Sequence, residues 1–337
     1  MSDKPILVGI TQGDINGIGY EVITKVLADS RMLEVCTPLV YGNSKVASYH
    51  RKLIKNCADF TFNIVRQPNQ VSLNKSNLIN VTDGEIKIEI GESTEIAGKM
   101  AFAALKMATD HILGKNIDVL VTAPINKRNI HSDSFAFPGH TEYLAKACNT
   151  TNYLMLMIAD NLRIGTVTTH CALSEVSSLL NKDLIVKKLR VLNNSLKTDF
   201  VCTSPKIAVL SLNPHAGDNT MFGKEEKDSI IPAIESAFNQ GIYAFGPYAA
   251  DGFFASGQYT QFDAVLAMYH DQAMIPFKIL SCNEGVNFTA GLPFVRTSPA
   301  HGTAYEIAGK DMASPDSFRK AIYAACDIYQ NRMNYEL

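Results

Sequence analysis

The sequence predicts an α/β protein with two lobes. Three observations carry this: short β-branched runs that are apolar from end to end, helix-period stretches between them, and 337 residues, enough for two cores at about 150 per domain. Strands are expected at 6–10, 38–41, 117–122, 153–159, 164–169, 207–212 and 262–269. They lack the polar alternation of a sheet with one wet face, so both faces should be covered by helices. Ile96, Met100, Ala103, Met107 and Ile112 recur near a helical period behind Ser93, the expected N-cap, and 226–238 looks similar. Two weaker strands, 78–81 and 85–90, flank Thr82-Asp83-Gly84 and predict a hairpin. No repeat, low-complexity tract or Pro/Gly-rich linker marks a border, so several chain crossings between the lobes are expected.

Composition narrows the function classes. Apolar residues at 46% and charged residues at 19% exclude a disordered tail or a coiled coil. Lys plus Arg (31) nearly balance Asp plus Glu (33) with no basic block, so the footprint of a nucleic-acid binder is missing and a small partner is expected. The opening residues form no export signal, and the longest apolar runs fall well short of the roughly 20 residues that span a bilayer, which predicts a cytoplasmic protein. Seven cysteines without a C-x-x-C pair read as reduced thiols, leaving any metal to His and carboxylates.

Polar clusters follow the strands, where ligands bind in open α/β sheets. His170, His215 and His270 each stand shortly past a predicted strand. Neutral imidazoles suit zinc or cobalt, and three protein ligands leave an open position for substrate. Their wide spacing also allows ordinary structural or surface roles. Asp251 and Asp271 are candidate proton-transfer or supporting carboxylates, with solvated surface groups as the alternative. His50, His111 and His131 follow no such pattern.

Gly139-His140-Thr141-Glu142 opens a predicted helix, whose free N–H groups favour an anion or serve as an ordinary cap. Lys278 and Arg296 adjoin apolar sequence, and a buried cation calls for a phosphate, a carboxylate or an internal ion pair. The glycine-rich Gly13-Asp14-Ile15-Asn16-Gly17-Ile18-Gly19 matches neither G-x-G-x-x-G nor a P-loop and reads as a tight strand-to-helix turn.

Taken together, Gly9-Ile10-Thr11-Gln12-Gly13-Asp14, Thr122-Ala123-Pro124-Ile125-Asn126-Lys127, Phe137-Pro138-Gly139-His140-Thr141-Glu142, Leu212-Asn213-Pro214-His215-Ala216-Gly217, Tyr269-His270-Asp271-Gln272 and Gly291-Leu292-Pro293-Phe294-Val295-Arg296-Thr297-Ser298 resemble the 4-hydroxythreonine-4-phosphate dehydrogenases of pyridoxal phosphate (vitamin B6) biosynthesis. The resemblance runs in order over nearly the whole chain. It implies two α/β/α lobes around a central cleft, as in isocitrate and isopropylmalate dehydrogenases, with 1–132 plus 300–337 in the first lobe and 133–299 in the second. It further implies a divalent metal on His170, His215 and His270, zinc first, with magnesium or cobalt as alternatives. Substrate positions are His140, Thr141, Lys278, Asn287 and Arg296. NAD or NADP would lie on His301, Gly302, Thr303, Ala304 and Glu306. A homodimer is implied in which His270 completes the partner's metal site. The expected reaction is metal-dependent NAD(P) oxidation of 4-phosphooxy-L-threonine to a β-keto acid that decarboxylates to 3-amino-2-oxopropyl phosphate. Asp251, Lys127 and a metal-bound water stand open as general base. Threonate or erythronate 4-phosphate is the neighbouring substrate reading, and a metal-dependent hydrolase the more distant one. The chain departs from the family's usual pattern where Asp14-Ile15-Asn16 lacks the proline after Asp14, where Gly19-Tyr20-Glu21 lacks the proline before the first glutamate, and where Ala300 replaces an acidic residue before His301.

Overall fold

Parallel strand pairs need a crossover between them, and the alternation of strands and helices supplies it. The computed structural model describes residues 5–133, 135–282 and 284–335. Its contacts divide the chain into two units, Met1–Asn149 with Pro293–Tyr329 and Thr150–Leu292 with Gln330–Leu337. The first holds β1 (Leu7–Thr11), β2 (Thr37–Gly42), β3 (Asn63–Val65), β4 (Asn77–Asn80), β5 (Val119–Thr122) and β12 (Val295–Pro299) in the order β3-β4-β2-β1-β5-β12, every pair parallel. The second holds β6 (Leu154–Ala159), β7 (Leu162–Thr166), β8 (Lys206–Leu210), β9 (Tyr243–Tyr248), β10 (Ala264–Ala267) and β11 (Val286–Ala290) in the order β11-β6-β7-β10-β8-β9. There β6 pairs antiparallel with both neighbours and the other pairs are parallel.

Strands β1, β2, β5, β10 and β12 are buried along their whole length, as coverage on both faces requires. Helix Glu95–Leu113 packs on β1, β2 and β5, and helix His270–Leu280 on β7 and β10. All seven cysteines are free. Among the described residues, no helix is long and apolar enough to cross a membrane.

Four expectations are corrected. Residues 85–90 form no strand, because β4 is already paired on one side with β2 and on the other with β3, leaving no free edge for a hairpin partner. The N–H of Glu89 instead donates to Asn16 Oδ1. The cap of the long helix is Thr94, whose hydroxyl accepts the Ala97 N–H, and the buried stripe is Ala97, Met100, Ala101, Ala104, Leu105, Ala108 and Ile112, which leaves Ile96 exposed. Helix His140–Ala147 and β12 belong by contact to the first unit rather than with the rest of 133–299. Tyr143 packs on Phe102, Phe135 and Phe137, and β12 pairs with β5. Strands β3, β9, β11 and β12 lie outside the expected set: β3 is only three residues long, β9 contains Gly246-Pro247, tolerable at a sheet edge, and β11 and β12 carry polar residues such as Asn287, Arg296, Thr297 and Ser298.

His50 is a structural residue. It is buried, stacks on Tyr20, and bonds through Nε2 to the Ile15 carbonyl at 2.7 Å. Burial lowers its pKa from 6.5 to about 4, the carbonyl bond opposing. A folded-state pKa below the unfolded one means that the unfolded chain binds the extra proton, so stability is retained above pH 6.5 and lost as pH falls toward 4. Chemical denaturation of the parent and of His50→Gln between pH 7 and 4 should show the parent losing up to about 3 kcal/mol more than the variant. Parallel curves would show that His50 titrates alike in both states.

Candidate active site

In the first unit the chemistry gathers where β5 and β12 end. Arg296 on β12 is 2% exposed, and its Nε and Nη2 donate to the Thr122 hydroxyl at the end of β5, at 3.2 and 2.6 Å. Burial lowers its pKa to about 10 while Glu142 acts the other way, so the guanidinium keeps its charge at neutral pH. His140 begins helix His140–Ala147, and Thr141 beside it is buried. The Nε2 of His140 is buried without a hydrogen-bond partner. Burial first, then the charges of Arg296 and Lys127, hold this imidazole well below its ordinary range and therefore neutral. A buried cation beside an unpartnered imidazole nitrogen and a helix start has the donor chemistry that fits an anion.

The loop at 301–310 lies in the same unit. Ala304 has φ 44°, and a turn at Tyr305–Ile307 follows. The Tyr305 hydroxyl donates to Asp14 Oδ2 at 2.7 Å, Asn129 Nδ2 donates to the same oxygen at 2.7 Å, and the Asn16 N–H donates to Asp14 Oδ1 at 2.9 Å. Burial, then Asp14, pushes the Tyr305 phenol up to about 12. The Ile18 N–H donates to the Thr303 carbonyl, and a Cβ on Gly17 would lie 2.7 Å from that oxygen, so only glycine lets the two loops meet. The glycine-rich run is thus the platform on which 301–310 rests. Asn16 fastens that platform to the start of the long helix, donating to the Glu92 carbonyl and the Thr94 hydroxyl. His301 Nε2 is buried without a partner, and open space surrounds Gly302. An unsatisfied ring nitrogen beside a glycine with free space suits the approach of a ligand such as a nucleoside. Glu306 is exposed.

The second unit holds the three histidines. His170 lies past β7, His215 past β8, and His270 begins helix His270–Leu280. Among the described residues, no three or more His, Cys, Asp and Glu side chains of one chain stand together as a metal site. The donor chemistry nevertheless fits a divalent ion. His270 Nδ1 pairs with Asp271 Oδ1 at 2.8 Å, which leaves Nε2 for a ligand, the usual arrangement of a ligating imidazole held by a carboxylate. His215, Asp251 and Asp271, singled out separately in the sequence, line one cavity of about 630 Å³ together with Asn213, Tyr269 and Gln272. Gln272 ties the ends of two strands, accepting the Met268 N–H and donating to the Ser211 carbonyl.

Lys278 is corrected from its expected burial: on helix His270–Leu280 Phe277 turns inward and Lys278 outward. Asn287 on β11 has a buried Oδ1 without a partner. Lys127 follows β5 in the first unit and is exposed. Asp14, Tyr305 and Glu226 fix the loops of these candidate sites, and sequence reasoning misses them. Glu226 had a usable signal, since it falls on the stripe Glu226, Ile230, Ala233, Ala237 that the structure buries.

The family described as "Pyridoxal phosphate biosynthetic protein PdxA" matches residues 34–325. A protein of Bacteroides thetaiotaomicron named 4-hydroxythreonine-4-phosphate dehydrogenase is 52% identical over 98% of this chain and 91% of its own. One of Oceanobacillus iheyensis named putative D-threonate 4-phosphate dehydrogenase is 36% identical over 97% and 99%. The crystal structure of 4-hydroxythreonine-4-phosphate dehydrogenase from Klebsiella pneumoniae superposes with a TM-score of 0.83 at 34% identity, covering 98% of this chain and all of that one. The fold extends further, to isocitrate dehydrogenase from Methylococcus capsulatus, with a TM-score of 0.53 at 11% identity over 96% and 88% of the two chains. With a family match over 34–325 and a relative 52% identical over 98% of this chain, the protein belongs to the PdxA family of pyridoxal phosphate biosynthetic proteins.

Proposed function

We propose that this protein is a 4-hydroxythreonine-4-phosphate dehydrogenase, an oxidoreductase that converts the 3-hydroxyl of 4-phosphooxy-L-threonine to a ketone, after which the β-keto acid loses carbon dioxide to give 3-amino-2-oxopropyl phosphate. The observation that carries the reading is the buried Arg296 beside the unpartnered Nε2 of His140. A guanidinium that stays charged out of water can meet a phosphate dianion with charge and several donors at once.

The residues divide the chemistry among them. Arg296, His140, Thr141 and Lys278 hold the phosphate, so that binding energy remote from the reacting carbon orients the alcohol. Because His140 stays neutral, it donates a hydrogen bond without adding a third charge to those of Arg296 and Lys127. Asn287 Oδ1 accepts from the substrate's ammonium. His170 and His215, with His270 of the partner subunit, would hold a divalent ion, and His301, Gly302, Thr303, Ala304 and Glu306 would hold NAD or NADP. When bound, the ion supplies a Lewis acid for the alcohol and later carbonyl oxygen, and the nicotinamide takes up the hydride. Asp251 is favoured over Lys127 for moving the hydroxyl proton, since it shares a cavity with His215. Ile275 and Ile279, exposed one turn apart on the helix that begins at His270, support a second copy at this face.

Substrate identity is tested by NADH formation. The kcat/KM for 4-phosphooxy-L-threonine should exceed that for threonate or erythronate 4-phosphate at least about tenfold, a gap of roughly 1.4 kcal/mol. The reverse order would reassign the enzyme to those hydroxy acids, and absence of NAD turnover with metal-dependent hydrolysis would make it a hydrolase.

Loss of one charged contact costs about 1.5–3 kcal/mol. Arg296→Met and Lys278→Met should therefore each lower kcat/KM on the phosphorylated substrate by roughly one to two orders of magnitude, with little effect on an unphosphorylated analogue. Equal losses on both substrates would mean that these cations serve the fold.

The shared metal site is tested by mixing. Inactive His270→Ala and inactive His215→Ala, exchanged as subunits, should recover up to about a quarter of wild-type activity, because half the dimers are mixed and each carries one intact site of two. No recovery would place all three histidines in one chain.

A further inference from the structure

Residues 215–220 carry His215 through a conformation that the chain does not choose by itself. His215, Ala216, Gly217, Asp218, Asn219 and Thr220 all have φ between 37° and 79°. Glycine enters that region freely and Asn, Asp or His tolerate it, but Ala216 and the β-branched Thr220 do so only at a cost. Something outside the loop must hold it.

The restraint is a carboxylate. Glu226, 3% exposed, opens a single π-helical turn, Glu226–Ile230, an irregularity that often marks functional sites. Its Oε1 accepts the N–H groups of Leu212 and Asn213, both at 2.8 Å, and its Oε2 accepts Asn213 Nδ2 at 2.9 Å. The second hydrogen of that amide goes to Glu225, which also accepts the Ser177 hydroxyl. A Cβ on Gly217 would lie 2.8 Å from Glu226 Oε2, so the loop folds directly over this carboxylate. Glu226 thereby holds the chain by hydrogen bonds before Pro214 and His215 and lies against Gly217 after them.

We propose that Glu226, acting through Asn213, is a positioning residue that aims His215 for metal binding. The inference rests on the reading of His215 as a ligand. Glu226 spends its acceptor capacity on donors of the 212–213 segment, so Glu226→Gln is a discriminating change. The new amide can keep the two backbone bonds, but its N–H groups then confront those of Asn213, which cannot turn round without bringing its own oxygen against Glu225.

The test uses the full-length protein and the metal alone. Co²⁺ affinity is measured by competition with a chromophoric chelator for the parent, Glu226→Gln, His215→Ala and the exposed control Glu235→Gln, with melting curves and kcat at rising Co²⁺. Glu226→Gln should melt within a few degrees of the parent, bind Co²⁺ about 10–100-fold more weakly, and recover most of kcat at saturating metal. His215→Ala should lose metal and activity without recovery, and Glu235→Gln should match the parent. Parent-like Co²⁺ affinity in Glu226→Gln, with His215→Ala inactive and metal-free, overturns this inference and leaves the metal reading standing. An active, metal-binding His215→Ala overturns both. If Glu226→Gln does not fold, Asn213→Ala decides, since it keeps the two backbone bonds of Glu226: weakened Co²⁺ binding upholds the inference, and parent-like affinity overturns it.

Discussion

A carboxylate removed from water must be surrounded by donors, and in each unit one such group dictates the path of a loop that carries chemistry. In the first unit it is Asp14, 1% exposed, which accepts from Asn16, Asn129 and Tyr305 and so joins the glycine-rich turn to the 301–310 loop. In the second it is Glu226, which accepts from Leu212 and Asn213 beside His215. Neither acid is placed to react. Each converts an irregular segment, which hydrogen bonds between backbone groups alone would leave loose, into a single geometry.

The buried parallel strands supply the frame for these loops. Strands covered on both faces are apolar and stiff, so polar groups collect where the strands stop. His170, His215 and His270 follow β7, β8 and β10, and Arg296 near the start of β12 reaches Thr122 at the end of β5. The antiparallel insertion of β6 between β11 and β7 is where this pattern pauses, and there Asn287 enters from within a strand rather than after one.

The electrostatics of the first unit are prepared before any ligand arrives. Arg296 holds its charge despite burial, and burial first, then the charges of Arg296 and Lys127, keep His140 neutral. A buried guanidinium beside a neutral imidazole fits a compact anion. Lys278, in the second unit, is of another kind, exposed to water.

The α/β class, the main buried strands, the helix start at His140 and the order of motifs that identifies the family were all legible in the residues alone, because apolar runs, turn residues and local motifs are properties of chain neighbours. His215, Asp251 and Asp271 were legible too, but one by one. Folding was needed to show that these three line one cavity, that Lys278 faces outward while Arg296 is buried, that 85–90 is no strand, and that Asp14 and Glu226 are hidden acids. Each of these depends on which distant segment supplies the hydrogen-bond partner or covers the surface. A carboxylate reads the same in a sequence whether water or folded donors surround it, and only the fold brings Tyr305 to Asp14 or Asn213 to Glu226.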